Sequence, residues 1–282
     1  MISLAWPVVA EQTFVTLVGL ASTLMVGRLG AEALAGVGLG TQAVWFPQVV
    51  VVGLSVGGTA VIARRFGQGK LKEASVALHQ SVLIAAAVGL LFAPTAWVLA
   101  ERIMVLLRAR PEVVELGAAY VRAAAPGLIP ALIMIAANAA MRGSGNTRTP
   151  MFVMAITNVT NVALGYVLIY GLLGLPAMGV LGAGLASSLA WVVGATLAIT
   201  FLAKGVGALR YHPRHALSFD RQTAGHVLNI GFPTGLEQAQ FQTAFILFSV
   251  IFSALGTKVY AAHTVALRVE NIAFMPGFGL GV

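Results

Sequence analysis

Trp6-Pro7-Val8-Val9-Ala10-Glu11-Gln12 returns far down the chain as Phe232-Pro233-Thr234-Gly235-Leu236-Glu237-Gln238. The offset, 226 from Pro7 to Pro233, keeps its register downstream: Leu29-Gly30 falls on Leu255-Gly256, Ala35 on Ala261 and Gly53 on Gly279. Both copies sit in long apolar runs. Proline removes the hydrogen bond to the carbonyl four residues back and kinks a helix. A glutamate four residues on lies on the same face, one turn deeper. With a helix start near Ile2, Glu11 lies roughly 14 Å along at about 1.5 Å per residue. That is close to the middle of a hydrocarbon core about 30 Å thick. A carboxylate at such depth is costly and marks a functional site. The repeat therefore predicts a membrane protein of two related halves, each opening on a kinked helix that carries a carboxylate.

Composition agrees. Of the 282 residues, 59% are hydrophobic and 9% charged, where soluble domains carry about a quarter charged. Mean hydropathy is +0.91. The net charge of +8 would suggest nucleic acid in a soluble protein. Here the basic residues gather between apolar runs, so membrane topology and anionic lipid explain them and no nucleic acid is expected. The absence of cysteine excludes a disulfide framework and thiolate metal sites. With no basic segment ahead of it, the first apolar run reads as a retained helix rather than a signal peptide.

Eight apolar runs are long enough to span. They cover about 2–26, 34–63, 74–100, 113–141, 149–173, 178–203, 227–254 and from 258 onward. Lipid excludes an open sheet, and no ten-residue alternation supports a barrel. The predicted fold class is an all-α polytopic membrane protein. Its first domain is a six-helix lobe over 1–203, followed by a basic linker over 204–226. The opening of a second lobe then occupies 227–282, truncated after about two helices. Six spans is an even number, so the second copy enters the membrane in the same direction as the first, giving parallel repeats.

Charge sets the expected orientation. Arg64, Arg65, Lys70, Lys72, Arg142, Arg148, Lys204, Arg210, Arg214 and Arg221 fall on one side, and Arg28, Arg102, Arg108, Arg110 and Lys258 on the other. The positive-inside rule places the first group, and the N-terminus, in the cytoplasm. His212, His215 and His226 could suggest a metal site, but the stretch that holds them reads as a solvated linker.

The site candidates are polar residues inside the spans. Glu237, followed by Gln238 and Gln242, is a titratable group in an apolar run, suited to binding a proton or cation. Glu11, followed by Gln12, repeats the pattern nearer a helix start. The competing account is a protonated glutamate hydrogen-bonded between helices. Asn158 and Asn161 share a helix face, and Asn138 on the preceding span is expected to meet them. In lipid such a stripe faces protein or a water-filled cavity. Arg122 has Glu115 two turns back and is expected to reach the outer interface. The abundant glycines allow close helix approach and also bending. Arg142-Gly-Ser-Gly-Asn-Thr-Arg-Thr-Pro150 lacks the strand and the Gly-Lys-Ser/Thr end of a phosphate loop and reads as a turn between helices. No catalytic constellation supports an enzyme.

The same turn begins the strongest family resemblance. Together with Asn161-Val-Ala-Leu-Gly-Tyr-Val-Leu-Ile-Tyr-Gly171, Met178-Gly-Val-Leu-Gly-Ala-Gly-Leu-Ala186 and Val26-Gly-Arg-Leu-Gly30, it resembles the MATE (multidrug and toxic compound extrusion) antiporters. The resemblance implies twelve helices in two six-helix lobes, with cytoplasmic termini and a plasma-membrane or inner-membrane location. It implies efflux of small amphipathic or cationic compounds driven by inward H⁺ or Na⁺, with no other cofactor, by a monomer once full length. Two acidic positions often seen in the family are absent: Ser22 stands just before Thr23-Leu-Met-Val-Gly27, and Gly165 stands four residues after Asn161. Their loss shifts the expected ion-coupling role to Glu237, with Glu11 second. A flippase-like exporter of a lipid-linked saccharide is the alternative, and it calls for several cationic side chains pointing into a central cavity, of which this chain offers almost none inside its helices. A non-transporting scaffold is the third reading.

Overall fold

The computed structural model of the chain describes residues 18–172, 174–205, 209, 211 and 219–254, and they are helical throughout apart from short connections. Glu11, Gln12 and the run from 258 onward lie outside the described residues. The helices are α1 (Val18–Gly27), then α2 (Ala31–Gly67), α3 (Leu71–Val98) and α4 (Ala100–Leu106). They continue with α5 (Pro111–Gly143), α6 (Arg148–Tyr170), α7 (Gly179–Ala203) and α8 (Arg221–Ala254). Five of them, α2, α3, α5, α6 and α7, are long and apolar enough to cross a membrane. Helix α8 has the length but not the apolarity, because Asn229, Glu237, Gln238, Gln240 and Gln242 dilute it.

Helix α5 is the hub, packed against α2, α3 and α7. Its buried face is mostly alanine, glycine and valine. Lipid offers no hydrophobic drive for helix association, so small residues that let backbones approach supply the packing instead. One buried cluster, with Met104, Tyr120 and Leu128, fills the end away from the basic connections. A second, with Ile62, Leu78, Met141 and Leu202, fills the basic end.

Two prolines, Pro126 and Pro130, interrupt α5 at mid-length. A neighbouring hydroxyl repairs the backbone there. Ser188 Oγ on α7 accepts from the Gly127 N–H at 3.0 Å and lies 2.8 Å from the Ala123 carbonyl oxygen, to which it donates. Side chains of adjacent helices commonly satisfy backbone freed by proline within a membrane.

The turn over 142–150 closes as the sequence suggests. Gly145 takes the left-handed φ of 82°. Asn146 Oδ1 accepts the Thr149 N–H at 3.1 Å, satisfying a donor at the start of α6.

Three expectations change. The third span does not run unbroken to residue 100: α3 ends at Val98, and α4 follows as a separate helix. Helix α4 buries Met104 against Gly117 of α5 while Val105 and Leu106 stay exposed. Arg122 pairs at 2.8 Å with Glu101 of this helix rather than with Glu115. Nor is the linker wholly solvated. Leu209 is fully buried among lobe residues, and the Tyr211 ring stacks on His79 of α3 with centroids 4.6 Å apart. Burial pushes the Tyr211 phenol above its ordinary value.

Candidate functional site

Glu237 stands alone in kind. The other described acidic residues lie near helix ends or in connections: Glu32, Glu73 and Glu112 in first turns, Glu115 one turn further on and exposed, Glu101 in the short α4, and Asp220 ahead of α8. Glu237 is the one described carboxylate at the middle of a long helix, about 24 Å from the α8 start at about 1.5 Å per residue. It is exposed and makes no hydrogen bond or ion pair with another described residue; Gln238 and Gln242 flank it half-buried.

Among the described residues, α8 leaves α2 before it reaches Glu237. Before Glu237 the helix packs antiparallel along α2, and its buried residues there are Thr223, Ala224, Val227, Gly231 and Gly235. Beyond Gly235 every described side chain of α8 is exposed or half-buried. The approach is backbone on backbone. A methyl group on Gly57 would overlap the Val227 carbonyl oxygen, and one on Gly53 would overlap the Gly235 backbone. A methyl on Gly231 would lie 2.5 Å from the Leu54 carbonyl oxygen. Glycines in this spacing on both helices are what permit the contact.

At the basic end the crossing finishes in a polar network. Asp220 precedes α8 as its N-cap, accepting the Gln222 N–H at 3.1 Å and the Thr223 hydroxyl at 2.6 Å. Arg65, on the last turn of α2, reaches the Thr223 hydroxyl oxygen with both terminal nitrogens at 3.2 Å. It also lies 3.8 Å from the Glu73 carboxylate. The Thr223 hydroxyl first, then the Gln222 and Thr223 N–H groups and the Arg65 charge, hold the Asp220 carboxyl below its ordinary range. The sequence had offered Arg65 only as a loop charge. The Asp220-x-x-Thr223 spacing was the one available sign of the cap.

The other predicted residues are dispersed. Asn138 is buried in α5 at 2% exposure, with its Oδ1 unpartnered among the described residues. Asn158 is half-buried on α6, its Nδ2 likewise unpartnered. Asn161 donates to Ser187 Oγ of α7 at 3.2 Å. At the level where α5 meets α6, Met134 and Thr157 face each other. Asn138 therefore lies a turn towards the basic end, and Asn161 a turn away from it. The expected meeting of Asn138 with the stripe does not form, because the two helices run antiparallel. Gly165 faces Met25 of α1, and Ser22 lies three residues before that methionine. Tyr170 ties the same contact by donating to the Met25 carbonyl at 2.9 Å. Hydroxyls and amides, with no carboxylate among the described residues, occupy this region.

The MatE family profile matches residues 7–167. A probable multidrug resistance protein NorM of Thermotoga maritima is 32% identical over the whole of this chain, which covers 60% of that protein. The outward-facing structure of a multidrug resistance MATE family transporter superposes with a TM-score of 0.88 at 26% identity, covering 99% of this chain and 61% of the other. The inward-facing structure of such a transporter gives 0.80 at 27% identity, covering 94% and 59%. The chain thus spans about three-fifths of the length of the relatives it matches. With its all-helical lobe and α8 crossing α2, this integral membrane protein belongs to the MATE family.

Proposed function

We propose that the protein these residues build exports small amphipathic or cationic compounds in exchange for inward H⁺ or Na⁺, with Glu237 as the coupling carboxylate. The observation that carries the reading is the position of Glu237: mid-helix, in the second lobe, where α8 parts from α2. In an outward-open arrangement that position meets the external medium and can take up a cation. Closing the lobes around it desolvates the carboxylate, which favours its neutralised form. Ion and compound then drive transport only if they prefer different lobe arrangements. The names of the relatives support multidrug efflux, and the excess of basic residues on one side supports a cytoplasmic N-terminus.

The test is ion-gradient-driven efflux by the full-length protein in proteoliposomes. Glu237→Gln removes the titratable group and keeps the shape, so coupled efflux should drop by roughly an order of magnitude or more, the scale of losing a few kcal/mol of ion preference. Undiminished ion-driven efflux sinks the assignment.

A further inference from the structure

Glu237 accounts for coupling but leaves the crossing beside it without a role. That crossing joins the six-helix lobe to the first helix of the second lobe. Its α8 side is a single ridge, Thr223, Val227, Gly231 and Gly235, recurring every four residues and stopping at Gly235. Its α2 side offers Gly53 and Gly57 at the same spacing. Backbone meets backbone, so no side chain can move aside to tolerate an added group. Where α2, α3 and α8 meet lies a cavity of about 10 Å³ lined by Ser55, Ser81 and Val227 among others. It is large enough for about one water and too small for a continuous file. At its basic end, Arg65 and Thr223 tie α2 to the cap of α8.

We propose that this seam is the gate closing the cytoplasmic side in the outward-open state, with the Gly53/Gly57–Gly231/Gly235 crossing as its seal and Arg65–Thr223–Asp220 as its latch. The proposal rests on the transport reading for the naming of the states. One observation agrees with it: the contact lies wholly on the basic side of Glu237. Dispersion between close backbones falls away over an ångström or less, so the crossing is either sealed or open. The latch adds directional bonds that hold only while the helix ends are in register.

The experiment uses the full-length protein in vesicles with no substrate and no ion gradient. The 282 residues contain no cysteine, and Ser55→Cys places a thiol inside the seam. Its labelling by a membrane-impermeant maleimide from the cytoplasmic face reports opening. Adding Gly57→Ala should raise the labelling rate about tenfold by displacing the closed population. Gly38→Ala adds the same methyl to α2 where nothing lies within 4 Å, and should leave the rate unchanged. Thr223→Val, which keeps the shape but removes the hydroxyl, should raise it, and decides alone if Gly57→Ala does not assemble. An unchanged rate in both variants overturns the gate, as does an equal rise with Gly38→Ala. The labelling needs no transport, so the gate can fail while Glu237→Gln still abolishes efflux, and the reverse holds too.

Discussion

At Asp220 one carboxylate serves the first turn of α8 and the contact between α8 and α2 together. It caps the helix through Gln222 and holds the Thr223 hydroxyl, which Arg65 of α2 approaches from the other side. Arg65 is also faced by Glu73 of α3, itself 3.3 Å from Lys70. Because the Asp220 pKa is lowered from 3.8, its contribution is fully present above that ordinary value and is lost only as pH falls through the depressed one. Labelling of the Ser55→Cys reporter, taken at each pH as a ratio to an exposed single-cysteine control because the reactive thiolate itself becomes scarcer as pH falls, should therefore stay flat through neutral and mildly acidic pH and rise only below the ordinary carboxylate range. A rise near neutrality would assign the response to another group. The residue also shows how Glu237 differs: Asp220 has hydrogen-bond partners, and Glu237 has none among the described residues.

At the scale of elements, α5 holds the lobe together although it is the helix most interrupted by proline. Pro126 has no N–H to donate, and a proline inside a helix disturbs the hydrogen bonding of the turn around it. Ser188 meets the Gly127 N–H and the carbonyls of Ala123 and Ala124. Gly127 is required because a methyl there would lie 2.5 Å from Ser188 Cα. Replacing Ser188 by alanine leaves a buried N–H without its acceptor, a cost of about 1–3 kcal/mol in a soluble protein. Polar contacts between helices in lipid average less, about 0.6 kcal/mol. Ser188→Ala should accordingly lower stability by about 1 kcal/mol, read as a reduced midpoint of thermal unfolding in detergent, with the fold retained. A midpoint equal to that of the parent protein would show that α5 satisfies its own kink.

For the whole molecule, the sidedness of the connections sets which face of the seam meets the cytoplasm. Lys72 opens α3 on the basic side, and Glu112 opens α5 on the opposite side, both exposed. In intact cells, a thiol at Lys72→Cys should be protected from impermeant reagent added outside, and one at Glu112→Cys should react. The opposite pattern would turn the gate to the external face. The same geometry explains the lack of apolarity in α8. On the proposed transport reading, Glu237 and its glutamines face a cleft between lobes rather than lipid, and such a face need not be uniformly apolar.

The composition and the lengths of the apolar runs were enough to establish an all-α membrane protein, because lipid leaves the backbone no other way to satisfy its hydrogen bonds. Family membership was legible too, in the 142–150 turn and the glycine-rich runs that follow Asn161 and Met178. Glu237 was visible as a candidate because a carboxylate in an apolar run carries its cost on its face. Hidden from the sequence was everything that depends on which helix meets which. Gly53, Gly57, Gly231 and Gly235 look like any other small residues until α2 and α8 are seen to cross there. Asn138 looks like a neighbour of Asn158 and Asn161 until the antiparallel run of α5 and α6 sets them at different levels. Periodicity reports the face a residue occupies on its own helix; its partner is decided by the packing of the whole lobe.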